Sequence, residues 1–352
     1  MHVIFRETQG LEETETPIDL GQTPADLVVL SFSDSDLGAF AQAWREGRDK
    51  LPTLRLANLV ALKHPLSVDT YVEQTLIGAK GILIRLIGGV PYWEYGLQQV
   101  YDLAKKQGIA LAVLPADGRV DERLDAYSTL PVSTLRRLAH LCDGGGTAGA
   151  RAALAQMALA SGLYAVPVRG VTRLPTVGLW SPEHGVTCPI AFGEVENPIV
   201  LSFYRSFLVA ADLEPIKALF EAFRAKGHAV IGLFAPSLKQ PEAASWIKRQ
   251  LQFLKPAAIV NATSFSGRGV DGISPLDATD APVFQVALST ALLKDWKSAE
   301  RGLSPADLAM HVVLPEVDGR LFAGIVSAKE PAKKDQDLEY ARFEHTPISD
   351  RI

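Results

Sequence analysis

Three side chains that can perform acid–base or metal chemistry lie within the segment HVVLPEVDGRLFAG, residues 311–324. His311 opens the segment, and Glu316 and Asp318 follow Pro315. Because side chains alternate along an extended chain, Glu316 and Asp318 are predicted to point to the same side. Such a carboxylate pair can accept protons or hold a divalent metal ion. We therefore take all three as candidate catalytic residues.

The same segment also has an ordinary structural interpretation. Asp318–Gly319 is a frequent hairpin-turn dipeptide, and apolar runs lie on both sides of it. On this interpretation residues 312–314 form one strand, a second strand follows the turn, and His311 simply begins the first strand. The segment alone leaves the turn and the reaction site as open alternatives.

A second set of candidates follows the predicted strands, because ligands bind beyond the carboxyl ends of strands in open parallel sheets. Three cations lie at these ends among neutral hydrogen-bonding groups, and arginine pairs with a carboxylate through two parallel bonds. The set therefore suits a ligand that carries carboxylates, although each residue alone also fits a cap, a turn or a surface pair. Its members are Arg85, Gly88, Gly89, Tyr92, Arg205, Ser206, Lys239, Asn261, Thr263, Ser264 and Gln285.

The elements that position these residues are predicted from short apolar runs that alternate with helical periodicity. Predicted strands cover 26–32, 53–59, 81–89, 109–115, 199–205, 229–235, 257–263 and 282–288. Predicted helices cover 36–47, 67–79, 92–108, 133–142, 147–161, 212–227, 241–253, 290–300 and 305–309. This alternation indicates an α/β fold with two consecutive Rossmann-like or flavodoxin-like domains and mostly parallel sheets.

The length of 352 residues also favours two domains, since single cores rarely exceed roughly 250–300 residues. We predict a first α/β domain at 1–164 and a proline- and glycine-rich connector at 165–198. A second α/β domain at 199–330 carries the LPEVDG segment, and a polar tail covers 331–352.

Composition excludes several classes of protein. The net charge is −5 and no basic stripe is present, which argues against nucleic-acid binding. Cys142 and Cys188 are far apart, so neither a disulfide framework nor a CxxC zinc site is predicted. We expect a cytoplasmic chain without a membrane span, because the sequence shows neither a signal core nor about 18 consecutive apolar residues. A dinucleotide fingerprint and a P-loop are both missing, so we expect no ATP hydrolysis by this chain itself.

Several long motifs resemble a known family. They are TLRLANLVALKHPLSVDTYVEQTL, GILIRLIGGVPYWEYG, LSFYRSFLVAADLEPIKAL, LFAPSLKQP, IVNATSFSGRG and GLSPADLAMHVVLPEVDGRLFAG. Together, and in this order from near residue 20 to the end, they resemble the N-terminal part of the large, CobN-type subunit of aerobic cobaltochelatase. The wider family includes the large subunit of magnesium chelatase, which has proline, glutamate, a hydrophobic residue, aspartate and glycine at 315–319.

The resemblance implies a subunit that binds a tetrapyrrole and a metal. The substrates would be Co²⁺ and hydrogenobyrinic acid a,c-diamide, in aerobic cobalamin biosynthesis. Two partner subunits, which form an AAA+ assembly, would hydrolyse ATP with Mg²⁺. The family's catalytic acids carry over to Glu316, which would accept a ring proton or bind the metal, and to Asp318. Arg85, Arg205 and Lys239 would hold substrate carboxylates.

The length departs from the family pattern, because family members are far longer. We therefore expect a fragment or a truncated product that does not turn over alone. One alternative is a non-catalytic scaffold that docks the AAA+ subunits. Another is a two-domain α/β protein that binds a small ligand, such as a solute-binding protein or a sugar-nucleotide transferase. The missing signal sequence argues against the solute-binding protein, and the missing phosphate loop argues against the transferase.

Overall fold

The computed structural model describes residues 16–116, 121–168, 173–192, 195–269, 271–299, 302–331, 334–341 and 343–352. The chain divides into two compact units. The first unit comprises Met1–Leu174, Val209–Ala211 and Ala332–Arg342. The second comprises Pro175–Leu208, Asp212–Pro331 and Phe343–Ile352.

The first unit contains a parallel sheet with the strand order β2-β1-β3-β4. Its strands are β1 Leu27–Ser31, β2 Leu54–Asn58, β3 Gly81–Leu86 and β4 Ala110–Pro115. The helices are α1 Asp34–Gly47, α2 Pro65–Gln74, α3 Glu94–Gln107, α4 Val132–Gly144 and α5 Gly146–Ala160. The strands are almost wholly apolar and buried because helices cover both faces, so the apolar side chains form two separate clusters.

Local signals set the helix ends of this unit. The Ser33 side chain caps α1 by accepting a hydrogen bond from the Asp36 backbone N–H at 3.2 Å. Gly108 ends α3 with a φ of 71°, and its N–H bonds to the Ala104 carbonyl. These caps hold the loops at the carboxyl end of β1 and at the start of β4 in defined conformations.

The second unit contains an eight-stranded sheet in the order β12-β11-β10-β9-β7-β8-β5-β6. The strands are β5 Gly178–Ser181, β6 Gly185–Thr187, β7 Ile199–Tyr204, β8 Val230–Ala235, β9 Ala258–Asn261, β10 Val283–Leu292, β11 Leu321–Pro331 and β12 Phe343–Pro347. The five central strands are parallel, whereas β5, β6 and β12 pair antiparallel at the two sides.

The helices along this part of the chain are α6 Arg205–Ala210, α7 Glu214–Ala225, α8 Pro241–Leu254, α9 Leu293–Ser298, α10 Pro305–Leu308 and α11 Leu314–Val317. A π-helical stretch, Ala309–Val313, joins α10 to α11. Short 3₁₀ helices lie at Arg48–Lys50, Leu59–Leu62, Leu76–Gly78, Val90–Tyr92, Glu122–Tyr127, Pro189–Phe192 and Pro275–Ala278.

The predicted α/β fold with mostly parallel sheets is confirmed. Within the predicted connector at 165–198, strands β5 and β6 pair in the second sheet. Within the predicted polar tail at 331–352, strand β12 pairs with β11. Among the residues that the structure describes, no helix is both long and apolar enough to cross a lipid bilayer.

The prediction of an extended chain around LPEVDG is wrong, because residues 305–317 are helical. Ser304 caps this stretch by accepting a hydrogen bond from the Asp307 N–H, and Pro305 occupies the first turn. A three-residue apolar run such as 312–314 is too short to distinguish a strand from a helix. The helical turn also separates the two carboxylates, since Glu316 is exposed and Asp318 is buried.

Candidate functional site

The helical stretch 305–317 has its polarity reversed relative to an ordinary surface helix. Its inward face carries the buried Asp307, His311 and Pro315, and the buried Asp318 follows directly. Its outward face is apolar, with exposed side chains at Leu308, Val313, Leu314 and Val317. Exposed apolar groups gathered on one face commonly mark a surface that contacts a ligand or another protein.

Glu316 lies on this outward face. Its carboxylate is exposed and has no hydrogen-bond or ion-pair partner among the described residues. The exposed apolar side chains of Val317, Leu321 and Phe322 follow it along the chain. Glu316 therefore offers a free carboxylate within an apolar surface, where it can take a proton or bind a cation.

Asp318 has a different environment, because its side chain is fully buried and its oxygens are occupied. Oδ1 accepts a hydrogen bond from Ser266 Oγ at 2.7 Å, and Oδ2 accepts one from the Gly267 N–H at 2.6 Å. The Arg320 guanidinium donates a further bond to Oδ2 at 2.9 Å. Asp318 thus joins the end of α11 to the loop that follows β9.

A buried polar network continues from Arg320 into the sheet. Arg320 Nη1 lies 3.3 Å from Gln285 Oε1, which also accepts a bond from Asn261 Nδ2 at 2.7 Å. Asn261 Oδ1 accepts bonds from Ser202 Oγ at 2.6 Å and from Thr263 Oγ1 at 2.9 Å. Burial lowers the pKa of Arg320 and Asp318 partly opposes that shift, but the guanidinium remains charged at neutral pH.

The structure therefore brings together three residues of the predicted polar set, Asn261, Thr263 and Gln285. They lie where β9 ends and β11 begins, since Gln285 is opposite Asn261 on one side and Phe322 on the other. Their polar groups are largely satisfied by one another. This arrangement gives the loop after β9 a rigid base.

The loop after β9 contains a strained residue. Phe265 has a φ of 66°, a left-handed conformation that is unfavourable for a bulky side chain, and its ring is exposed. Its N–H bonds to the Met310 carbonyl at 2.7 Å, and its carbonyl faces Arg320 Nη1 at 3.5 Å. These contacts hold the strained backbone in place next to the helical stretch.

His311 is buried on the inward face of the helical stretch. Its Nε2 lies 3.8 Å from Asp307 Oδ1, and Nδ1 has no hydrogen-bond partner among the described residues. Burial lowers the pKa of His311 to about 4, although the Asp307 carboxylate opposes the shift. The imidazole is therefore neutral at pH 7, and its burial keeps it away from the surface that carries Glu316.

Arg85, which belongs to the first unit, is occupied by internal ion pairs. Its Nε lies 3.0 Å from Asp36 Oδ2 and its Nη2 lies 3.3 Å from Asp143 Oδ1, with the side chain almost fully buried. Burial lowers the pKa of Arg85, but Asp36, Cys142 and Asp143 raise it more, so the net shift is upward. Because these carboxylates already pair with the Arg85 guanidinium, it is not available to bind a substrate carboxylate.

Gly88 and Gly89 form the turn after β3, and both have positive φ angles of 83° and 79°. A side chain at Gly88 would overlap the ring of Tyr92, which is itself largely exposed. The glycines are therefore required by backbone conformation and close approach. These residues belong to the first unit, whereas Asn261, Thr263 and Gln285 belong to the second.

The remaining predicted residues lie at the surface of the second unit. Arg205 is half-buried and donates from Nε to the Pro175 carbonyl at 2.9 Å, and burial lowers its pKa. Ser206 is half-buried beside it, and Lys239 is exposed. The Ser264 carbonyl accepts a bond from Tyr204 Oη at 2.7 Å. None of these contacts joins them directly to Glu316.

Sequence reasoning missed Arg268 and Arg320. Arg320 anchors the buried network, and Arg268 Nε lies 3.5 Å from Asp318 Oδ1 with its side chain 43% exposed. The motif SGRG, 266–269, carried a signal, because two glycines flanking an arginine after a strand mark a tight loop that presents a cation. Within the part of the chain that the structure describes, no three His, Cys, Asp or Glu side chains converge as a metal site.

A model of the CobN/Magnesium Chelatase family matches residues 144–352, which is more than half of the chain. This chain belongs to the CobN/Magnesium Chelatase family. The matched range contains the whole helical stretch 305–317, the loop after β9 and the buried network. The resemblance recognised from the motifs is confirmed.

Individual CobN relatives agree with this assignment. The chain is 34% identical over 368 residues to aerobic cobaltochelatase subunit CobN of Sinorhizobium sp, covering 100% of this chain and 29% of that protein. It is 35% identical over 348 residues to the subunit of the same name from Pseudomonas aeruginosa, covering 96% of this chain and 28% of that protein. The chain thus spans less than a third of the length of these curated relatives.

A solved structure of the catalytic subunit of cobaltochelatase from Mycobacterium tuberculosis has a similar fold. It matches with a TM-score of 0.69 over 92% of this chain and 26% of that chain. The sequence identity is 23%, so this match supports the fold of the chain and not its activity.

Proposed function

We propose that this chain forms part of the tetrapyrrole- and metal-binding subunit of an ATP-dependent cobaltochelatase. Its activity would be the insertion of Co²⁺ into hydrogenobyrinic acid a,c-diamide in aerobic cobalamin biosynthesis. Two AAA+ partner subunits would hydrolyse ATP with Mg²⁺. The observation that carries this proposal is the free carboxylate of Glu316, set in an exposed apolar surface and supported by a buried polar clamp, Asp318 with Arg320.

This surface suits the chemistry of metal insertion. A tetrapyrrole presents a broad apolar ring to its binding site, and exposed Val317, Leu321 and Phe322 offer matching apolar area. Insertion removes the proton of the ring N–H so that the four ring nitrogens can bind the metal, while the metal loses bound water. Glu316 would accept this proton or bind the Co²⁺ before transfer.

A scaffold that docks the AAA+ subunits is the second candidate, because the same exposed apolar face fits a protein interface. The two candidates differ in what Glu316 does. A docking face does not require a free carboxylate at its centre, whereas proton transfer does.

The test replaces Glu316 with Gln in the complete subunit that carries this sequence, assembled with its partners. Cobalt insertion is expected to fall about a hundredfold while tetrapyrrole affinity remains unchanged, since Gln keeps the shape but cannot accept a proton. The matched control is Glu242→Gln, at another exposed carboxylate of the second unit. Full activity of the Glu316→Gln variant would remove Glu316 from the reaction.

A further inference from the structure

We propose that the loop Phe265–Arg268 is a substrate-recognition loop in which Arg268 binds a peripheral carboxylate of the tetrapyrrole and Phe265 packs against its ring. This inference rests on the proposed function, whose binding site it makes more specific. It assigns recognition to two residues outside the predicted polar set.

Arg268 is the exposed cation beside Asp318. Both Arg320 and Arg268 lie against the Asp318 carboxylate. Arg320 is buried, and the Asp277 carboxylate also attracts it. Arg268 shares Asp318 with Arg320, and among the described residues no second carboxylate lies within ion-pair range of it. Its exposed guanidinium can therefore accept a further anionic group.

The geometry also orients the Arg268 side chain. Its Nε faces the buried Asp318 carboxylate while the side chain remains 43% exposed at the surface. Its backbone N–H bonds to Ser266 Oγ at 3.2 Å, and Ser266 in turn donates to Asp318. A guanidinium held on one side loses less side-chain freedom when it binds a carboxylate, because part of that entropy is already lost on folding.

The loop backbone is fixed by close packing. A side chain at Gly267 would overlap the Arg320 guanidinium, so the loop can approach this closely only with glycine at 267. Phe265 is held with a φ of 66° by its bond to the Met310 carbonyl, and its ring is 46% exposed. An exposed aromatic ring on a strained and over-determined backbone is typical of residues that contact ligands.

The position of the loop complements that of Glu316. Asp318, two residues after Glu316, bonds directly to the loop, so the carboxylate and the Arg268 cation belong to one rigid assembly. A substrate with an apolar ring and anionic side chains, together with a cationic metal, matches this distribution of charge. The chemical class recognised by the loop is thus an apolar macrocycle that carries a peripheral carboxylate.

The test compares the affinities of the wild-type chain and the Arg268→Ala variant for two probes. These are hydrogenobyrinic acid a,c-diamide and the methyl ester of its carboxylates. We expect Arg268→Ala to weaken binding of the acid about tenfold and to leave binding of the ester unchanged, because one charge-assisted pair is lost. Arg249→Ala, at an arginine of α8, is the matched control and should change neither affinity.

Two further variants separate orientation from charge and recognition from folding. Arg268→Lys keeps the charge but lacks the Nε that faces Asp318, so its affinity for the acid should be intermediate. Wild-type affinity in this variant would remove the orienting role of Asp318.

Phe265→Gly relieves the backbone strain and should fold at least as well as the wild type, yet it should weaken binding of both probes. Unchanged binding in that variant would remove Phe265 from the loop's function.

The possible results separate the recognition role of the loop from the proposed function on which it rests. Saturable binding by the wild-type chain with equal losses for acid and ester in Arg268→Ala would overturn the recognition role and leave the proposed function standing. The recognition role would also be overturned if Arg249→Ala lost as much affinity as Arg268→Ala. Absence of saturable binding of either probe to the wild-type chain would overturn both.

Discussion

Two neighbouring carboxylates have separate roles in this structure because a helical turn divides them. Glu316 faces outward without a partner among the described residues, while Asp318 faces inward and holds Ser266, Gly267 and Arg320. An exposed free carboxylate can exchange protons, whereas a buried and fully bonded one stabilises the local fold. We therefore propose a reactive role for Glu316 and a positioning role for Asp318.

Replacing Asp318 with Asn should destabilise the second unit. Asn preserves the shape but removes the carboxylate that pairs directly with the buried Arg320 guanidinium, which typically costs about 3 kcal/mol. Chemical denaturation should show this loss in the free energy of unfolding. Asp350→Asn, at an exposed acid, is the control and should change little. Equal stability of the Asp318→Asn variant and the wild type would show that the pairing of Asp318 with Arg320 does not stabilise the fold.

The neutral buried His311 makes stability depend on pH. Its pKa is about 4 in the folded chain and about 6.5 when unfolded, so only the unfolded state gains a proton between these values. Above about pH 6.5 the titration of His311 therefore contributes nothing to the free energy of unfolding. That free energy falls as the pH is lowered through this window. We expect about 2 kcal/mol of this loss between pH 7 and pH 5.

Denaturation of a His311→Gln variant at both pH values measures this contribution. The variant removes the titrating ring, so its unfolding free energy should fall less between pH 7 and pH 5 than that of the wild type. The readout is the difference between two pH values, and it is therefore independent of any fixed cost of the substitution. Identical pH slopes in the two proteins would show that His311 is not held neutral.

At the scale of elements, the helical stretch 305–317 places its polar residues inside and its apolar residues outside. This arrangement lowers the free energy of unfolding, because burying charged groups costs free energy and the exposed apolar groups do not stabilise the fold. Such local conflict between sequence and stability is expected at functional surfaces. The stretch is the element on which the proposed function depends.

Substitution on the outward face should therefore be tolerated by the fold. Val317→Ser, at a side chain that is 62% exposed, should change the free energy of unfolding by less than about 0.5 kcal/mol. Val286→Ser, at a buried position in β10, should cost about 3 kcal/mol. Thermal or chemical denaturation measures both changes, and comparable losses in the two variants would show that Val317 packs in a core.

The sequence predicted β1 to β4 and β7 to β10 well, because each is a mostly apolar run bounded by loop residues, but β11 was not among the predicted strands. It failed at 312–314, where the helical period becomes visible only when the inward residues Asp307, His311, Pro315 and Asp318 are taken together. Strand β12, FEHTP, has no apolar pattern, and its place in the sheet follows from pairing with β11. Such tertiary pairing is not encoded in local periodicity.

The candidate site was predictable only in part. Asn261 and Gln285 both belong to the predicted polar set, and they lie opposite each other because β9 pairs with the beginning of β10. Arg85 was expected to be open, but partners on α1 and α4 occupy it. The role of Arg320 depends on the turn at Gly319, which has a φ of 78° and which spacing alone does not specify.

At the scale of the whole molecule, the chain has two α/β units and spans less than a third of its CobN relatives. The family match at 144–352 includes every residue of the clamp, of the loop after β9 and of the apolar surface around Glu316. We therefore propose that the second unit contributes part of a tetrapyrrole site. This proposal makes binding by the isolated chain the central question.

The most direct measurement is a titration of hydrogenobyrinic acid a,c-diamide into this chain. Binding is followed by the absorbance of the tetrapyrrole and by quenching of the five tryptophans. We predict saturable changes in both signals, and we predict that Val317→Asp weakens them, because a charge would then oppose the apolar ring. The absence of saturable binding, or equal affinity in the variant, would contradict the proposed site.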